Sequence, residues 1–151
     1  MPRFTGVKDI AFFEHISSEL VDDVVTTPIT FYKLSVYESR TNLYGESLGK
    51  TYHPGIDINC LIERQESEMN YEGFGYDRNQ TAEYRFNRFT LEDKNLYPEI
   101  GDIIFHNNAY FEIDNVREDQ MLAGRQKEKF SIICNSFMVR RSSINIEERA
   151  V

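Results

Sequence analysis

The rhythm of hydrophobic and polar residues changes once along this chain, near residue 28. Before that point Ile10, Phe13, Ile16, Leu20 and Val24 recur at steps of three and four. Glu14, Glu19, Asp22 and Asp23 fall mostly elsewhere around the wheel, as in an amphipathic helix. The spacing predicts a helix over 8–25, with Asp9 as a capping residue at its start. Val24 and Val25, followed by Thr26-Thr27-Pro28, end it. An apolar stripe of this kind must lie on something. Its own domain is the expected place, and a neighbouring subunit is the alternative.

From Ile29 onward the period drops toward two. Residues 29–36 alternate as a strand, and 42–47 read as a turn-rich segment. Pro54-Gly55 opens a strand over 56–63 that sets Ile56, Ile58, Cys60 and Ile62 on one face. Residues 64–82 are polar, glycine-bearing and poor in aliphatics, which predicts a long loop or an extended hairpin arm. Alternation returns over 83–90 around Tyr84 and Phe86, with a bulge expected before Phe89. Pro98-Glu99-Ile100-Gly101 turns the chain into a strand at 102–105. Asn107-Asn108 supplies residues that tolerate positive φ, and 110–116 is the return strand. A polar connection over 117–128 leads to a last strand at 130–139. The predicted fold is mainly β: a small antiparallel β-barrel or sandwich with an N-terminal helix and a long extended loop or arm. The expected organisation is one domain over 1–151. It comprises a helical segment at 1–28, the barrel at 29–139 with its arm at 64–82, and a charged tail at 140–151 that is loose unless a partner orders it.

Composition changes this picture little. The 11 Phe and 9 Tyr suit strands. Asp and Glu outnumber Lys and Arg 25 to 17, for a net charge of −8, which argues against a protein that grips nucleic acid from outside. An acidic wall beside DNA would let the duplex slide, and the plainer role of the charge is solubility. Cys60 and Cys134 lie in apolar, strand-like runs and read as small buried hydrophobes of a reducing compartment, with their pairing left open. No stretch approaches the ~18 apolar residues of a membrane span, and Met1-Pro2-Arg3-Phe4-Thr5 has no signal-peptide core. The expectation is a soluble protein assembled in a host cytoplasm, with no membrane partner.

Candidate chemistry is sparse. His15, His53 and His106 show no metal-ligand spacing and read as structural or solvated. Asp102, Glu112 and Asp114 are the one carboxylate group that a hairpin could gather for acid–base work or a hard cation. Asp102 follows Gly101, however, where a side-chain oxygen commonly holds a turn. Gly73-Phe74-Gly75 lacks the GK[ST] of a phosphate loop, and Ser17-Ser18 and Ser142-Ser143 lack a nucleophile elbow. No catalytic, cofactor-binding or metal residue is therefore assigned, and the expectation is a protein that is not an enzyme and carries no cofactor.

The most informative stretch is Ile100-Gly101-Asp102-Ile103-Ile104-Phe105-His106-Asn107-Asn108-Ala109-Tyr110-Phe111-Glu112-Ile113-Asp114-Asn115-Val116. It resembles a hairpin of head-closure and neck proteins of tailed bacteriophages: a Gly-Asp hydrophobic strand, a short turn, then an aromatic-Glu-Ile strand. The similarity is greatest to the neck protein of T-even-type contractile-tailed phages. There a Gln/Leu/Gly-rich connection follows, and here Asp119-Gln120-Met121-Leu122-Ala123-Gly124-Arg125-Gln126 leads to Phe130. The resemblance covers about a quarter of the chain. It implies a barrel-like virion subunit, assembled as a homo-oligomeric ring of six copies between the portal-side adaptor and the tail terminator or tail proteins. Such a ring closes the DNA exit channel and touches packaged DNA without reading its sequence. The partner-contact candidates are Tyr71, Phe74, Tyr76 and Arg78 on the arm, Gln120, Met121, Leu122 and Arg125 on the connection, and Arg140 and Arg141 near the tail. Arg85 and Arg88 are further candidates for charged pairs between copies. The alternatives are a tail terminator or head–tail adaptor of the same connector, or a barrel-type ligand- or nucleic-acid-binding module.

Overall fold

Alternation places every second residue of the strands inward, and the core is built from those positions. In the computed structural model, which describes residues 6–35, 40–41, 47–64, 68–72, 75–118, 121 and 129–146, β1 (Pro28–Tyr32) turns Ile29 and Phe31 inward. β8 (Thr81–Asn87) adds Ala82, Tyr84 and Phe86. β10 (Ala109–Arg117) contributes Phe111 and Ile113, and β11 (Ser131–Val139) contributes Ile132 and Cys134. Phe31 meets Phe86 edge-on with ring centroids 6.3 Å apart, and Tyr84 meets Phe111 edge-on at 5.8 Å, the geometry that aromatic quadrupoles favour.

These strands join β4 (Ile56–Asn59), β5 (Leu61–Arg64) and β9 (Ile103–His106) in one antiparallel sheet, ordered β4-β1-β9-β10-β11-β8-β5. The two edge strands, β4 and β5, are successive in the chain and separated only by Cys60, whose N–H donates to the Thr27 carbonyl at 3.1 Å. One run of chain therefore pairs with β1 through its first half and with β8 through its second, so the sheet curls back on itself. The four residues predicted to share a face do so: Ile58 and Cys60 are buried in the core, and Ile56 and Ile62 pack against it. The expected mainly β fold, with an N-terminal helix and a large antiparallel sheet, is what the structure contains. No ladder closes the sheet into a barrel among the described residues; β4 and β5 are its two edges, joined only through this shared, bent run.

A smaller sheet orders β12 (Ile144–Ile146), β3 (Ser47–Tyr52) and β2 (Arg40–Thr41). Lys50 of β3 bonds Glu112 of β10, and Ile103, the register partner of Glu112, is fully buried. The small sheet thus covers part of the outer face of the large one. The tail was expected to be loose, but residues 141–143 form a 3-10 turn and β12 pairs in parallel with β3. Parallel pairing between segments so distant in sequence leaves no local signal. The arm at 64–82 contains a two-stranded hairpin, β6 (Glu68–Glu72) with β7 (Gly75–Asn79), in keeping with the extended-hairpin alternative. The turn-rich reading of 42–47 falls largely outside the described residues.

Two further expectations are corrected. The strand over 83–90 ends at Asn87, whose side-chain oxygen accepts the Phe89 N–H at 3.1 Å and opens α2 (Arg88–Asp93). An Asn N-cap satisfies a donor that a strand bulge would leave open. The N-terminal helix, α1 (Val7–Glu19), continues as a π-helical turn over Leu20–Val25. Its N-cap is Gly6 rather than Asp9. Asp9 lies three residues further on, and its carboxylate accepts the Gly6 N–H at 3.1 Å. The π turn closes with the Thr26 N–H bonded to the Val21 carbonyl at 3.1 Å and Thr26 at φ 44°, an i-to-i−5 bond that widens the helix where β-branched residues crowd it.

Candidate assembly interface

The hairpin that carries the family resemblance is locked at its base. Gly101 sits at φ 95°, a conformation that L side chains rarely adopt. It presents Asp102 to the interior. The two carboxylate oxygens of Asp102 accept the N–H groups of Leu34 at 2.9 Å and Glu99 at 2.8 Å, and Lys33 Nζ stands 3.1 Å away. The same ammonium donates to the Tyr97 carbonyl at 2.7 Å and to Glu99 at 2.8 Å. Burial pushes the Asp102 carboxyl up, against the opposing pull of those N–H groups and of Lys33. The sequence expectation that Asp102 holds a turn is met. At the tip, Asn107 and Asn108 adopt φ 48° and 59°, the left-handed pair of a tight two-residue hairpin turn.

The carboxylate cluster imagined from the hairpin does not form a chemical site. Asp102 is committed to this lock, Glu112 is bonded to Lys50, and Asp114 is exposed where the β10–β11 register shifts. Among the described residues no group of three or more His, Cys, Asp or Glu side chains is arranged to hold a metal ion. His15 is exposed beside Glu19, His53 is exposed, and His106 stacks edge-on against Tyr84 at 6.4 Å. Cys60 and Cys134 are free buried thiols. Burial pushes Cys60 up to about 12 and Cys134 up as well. Among the described residues no helix is long and apolar enough to cross a membrane.

The candidate contact residues fall on separate elements. On the arm, Tyr71 of β6 lies directly opposite Tyr76 of β7, and Arg78 lies opposite Met69; Phe74 is outside the described residues. On the connection, Met121 is exposed and pairs with Lys129 in an isolated antiparallel bridge. Gln120, Leu122 and Arg125 are outside the described residues. Arg140 and Arg141 are exposed at the end of β11. Arg85 and Arg88, expected as pairing groups between copies, are engaged within the chain. Arg85 bridges Glu63 at 3.1 Å and Glu83 at 2.7 Å, and Arg88 bonds Glu92 at 2.8 Å.

The largest departure from expectation is α1, which was to pack on its own domain. Only Ile10 and, in the π turn, Val21 are buried. Phe12 is 64% exposed, Phe13 52%, Ile16 44%, Leu20 49% and Val24 70%. The segment is anchored instead through polar contacts. Thr90 donates to the Asp22 carboxylate at 3.2 Å, and Asn59 donates to the Asp22 carbonyl at 3.4 Å. Between α1 and Phe89 of α2 lies a groove of about 590 Å³ whose walls include Glu14, His15, Glu19, Asp22 and Asp23. Helical periodicity located the stripe but could not say which side it faces. Phe12 beside Phe13 was the available signal, because it widens the apolar arc beyond one seam.

No known protein-family profile matches the chain, and no curated protein matches it by sequence. Among solved structures, the chain is similar to a protein chain in one described as the virion of a native gene transfer agent (GTA) particle. The TM-score is 0.48 and the identity 9%, over 75% of this chain and 94% of that one.

Proposed function

We propose that the chain is a structural protein of a tailed-phage-type virion. In this reading it is a neck subunit, present in six copies as a ring that closes the DNA exit channel after packaging and joins the portal-side adaptor to the tail. The observation that carries the reading is the β9–β10 hairpin. The segment resembling phage neck proteins is an intact unit, with Gly101 in its special conformation, Asp102 tied to the loop after β1, and Asn107-Asn108 at the tip. Gly101 and Asp102 hold the base of the hairpin and Asn107-Asn108 hold its turn. A rigid core of this kind with projecting elements suits a ring subunit, whose heterologous edges must close by rotation. The acidic balance of the chain suits a channel wall along which a duplex slides rather than binds.

The test is genetic and visual. In particles assembled without this protein, loss of a neck ring should leave heads that fail to retain DNA beside finished, unattached tails in electron micrographs. Joined, infectious particles would overturn the reading. So would stable DNA-filled heads accompanied by tails of abnormal length, which would point to a tail terminator.

A further inference from the structure

We infer that copies of this chain bind one another head to tail, with the exposed face of α1 on one copy docking against the 137–144 end of the next. The inference takes from the neck reading only that copies meet, and it names the surfaces. Phe12, Phe13, Ile16, Leu20 and Val24 are each about half exposed or more. Large apolar side chains so exposed present on the order of 400–500 Å² together, at the size where a patch on a monomer commonly marks an interface. A stable interface takes ~800 Å² from each partner, so this stripe supplies the apolar centre of one partner's share.

Charge selects the occupant. Residues 7–25 carry Asp9, Glu14, Glu19, Asp22 and Asp23 against the single cation Lys8, and the exposed Glu19 and Asp23 stand three residues after Ile16 and Leu20 of the stripe, at its margin. Two copies of this helix face to face would set like charges together, which is costly. The 137–144 end has the complementary character. Arg140 and Arg141 are exposed, Phe137 is exposed on the strand just before them, and no carboxylate falls between residues 137 and 144. Phe137 can meet the stripe while the exposed Arg141 guanidinium reaches Glu19 and Asp23 at its margin, and bidentate Arg–carboxylate pairs suit that contact. Each copy owns both patches, and when it uses them on two different neighbours the contact is heterologous and closes into a ring where the rotation between copies allows.

The experiment uses the purified full chain and analytical ultracentrifugation. Phe13→Glu and the double variant Arg140→Glu/Arg141→Glu each remove one patch. Phe12→Glu serves as a second helix variant, and unchanged melting by circular dichroism shows that the substitutions leave the fold intact. Wild type should associate, and each variant alone should weaken association by at least about 30-fold. An equimolar mixture of a helix variant with the Arg variant should form a dimer that grows no further, because each still owns one intact patch. A monomeric wild type, an Arg variant that associates like wild type, or a mixture that stays monomeric would overturn the inference. A wild type that is monomeric in solution, yet is required for head–tail joining, would sink this contact and leave the neck reading standing.

Discussion

Two buried or half-buried carboxylates show how position decides the sign of a titration. Asp102 is pushed up by burial, so its ionisation opposes folding and its contribution declines as pH rises through its folded value. Glu118 behaves in the opposite way. The Tyr97 hydroxyl donates to it, Lys129 lies 3.5 Å away and Arg88 3.9 Å away, and together they hold its carboxyl below the usual range. A depressed folded value means that the stabilisation is complete above the unfolded value of about 4.3 and is lost as pH falls through the folded value. Glu118→Gln keeps the shape and removes the charge. It should cost about 1 kcal/mol at pH 7, since a partly solvated charged hydrogen bond sits at the low end of its class. Urea titrations of variant and wild type at pH 7 and near pH 3 check this. The two midpoints should differ at neutral pH and converge in acid, and a constant gap would show that the charge of Glu118 is not what Tyr97 and the two cations stabilise.

Elements whose signals are local were legible in the sequence. The β9–β10 hairpin could be read because Gly101, Asp102, Asn107 and Asn108 each act within a few residues of themselves. The shared face of Ile56, Ile58, Cys60 and Ile62 followed from a period of two, although the bend at Cys60 that gives each half a different partner did not. The pairing of β12 with β3 and the outward face of α1 depend on segments far away in sequence or on another molecule, so periodicity could not reach them. The α2 error is of a different kind. Tyr84 and Phe86 alternate correctly, and the signal that stops the strand is the single capping residue Asn87. If that cap defines the junction, Asn87→Ala should cost about 1 kcal/mol, read as a lower chemical-denaturation midpoint with an unchanged slope. Asn87→Ser or Asn87→Asp, which can also cap, should recover most of it. Equal losses from all three substitutions would mean that Asn87 acts through packing in its buried position rather than through the Phe89 N–H.

At the scale of the molecule, the consequence of sharing one run between two sheet edges is cooperativity. An edge strand is bonded on one side only and normally opens before the strands beside it. Here the edges β4 and β5 are held to one another through Cys60, whose N–H is bonded to Thr27 and whose side chain lies in the core among Ile58, Tyr84 and Cys134. Peeling β4 from β1 would drag Cys60 out of that core and loosen β5 from β8, where Ile62 pairs with Tyr84. The local opening therefore costs nearly as much as unfolding the sheet. Native-state hydrogen exchange should place the bonded amides of β4 and β5 in the same global class as those of β10 and β11 at the centre, with the same denaturant dependence. Amides of β5 that open at a separate, lower free energy while β1 stays protected would show an open sheet with a frayed edge. The same edges bear on assembly. Held in place, β4 and β5 still carry unpaired backbone groups on their outer sides, so contacts between copies can use those edges as well as the exposed apolar side chains of α1.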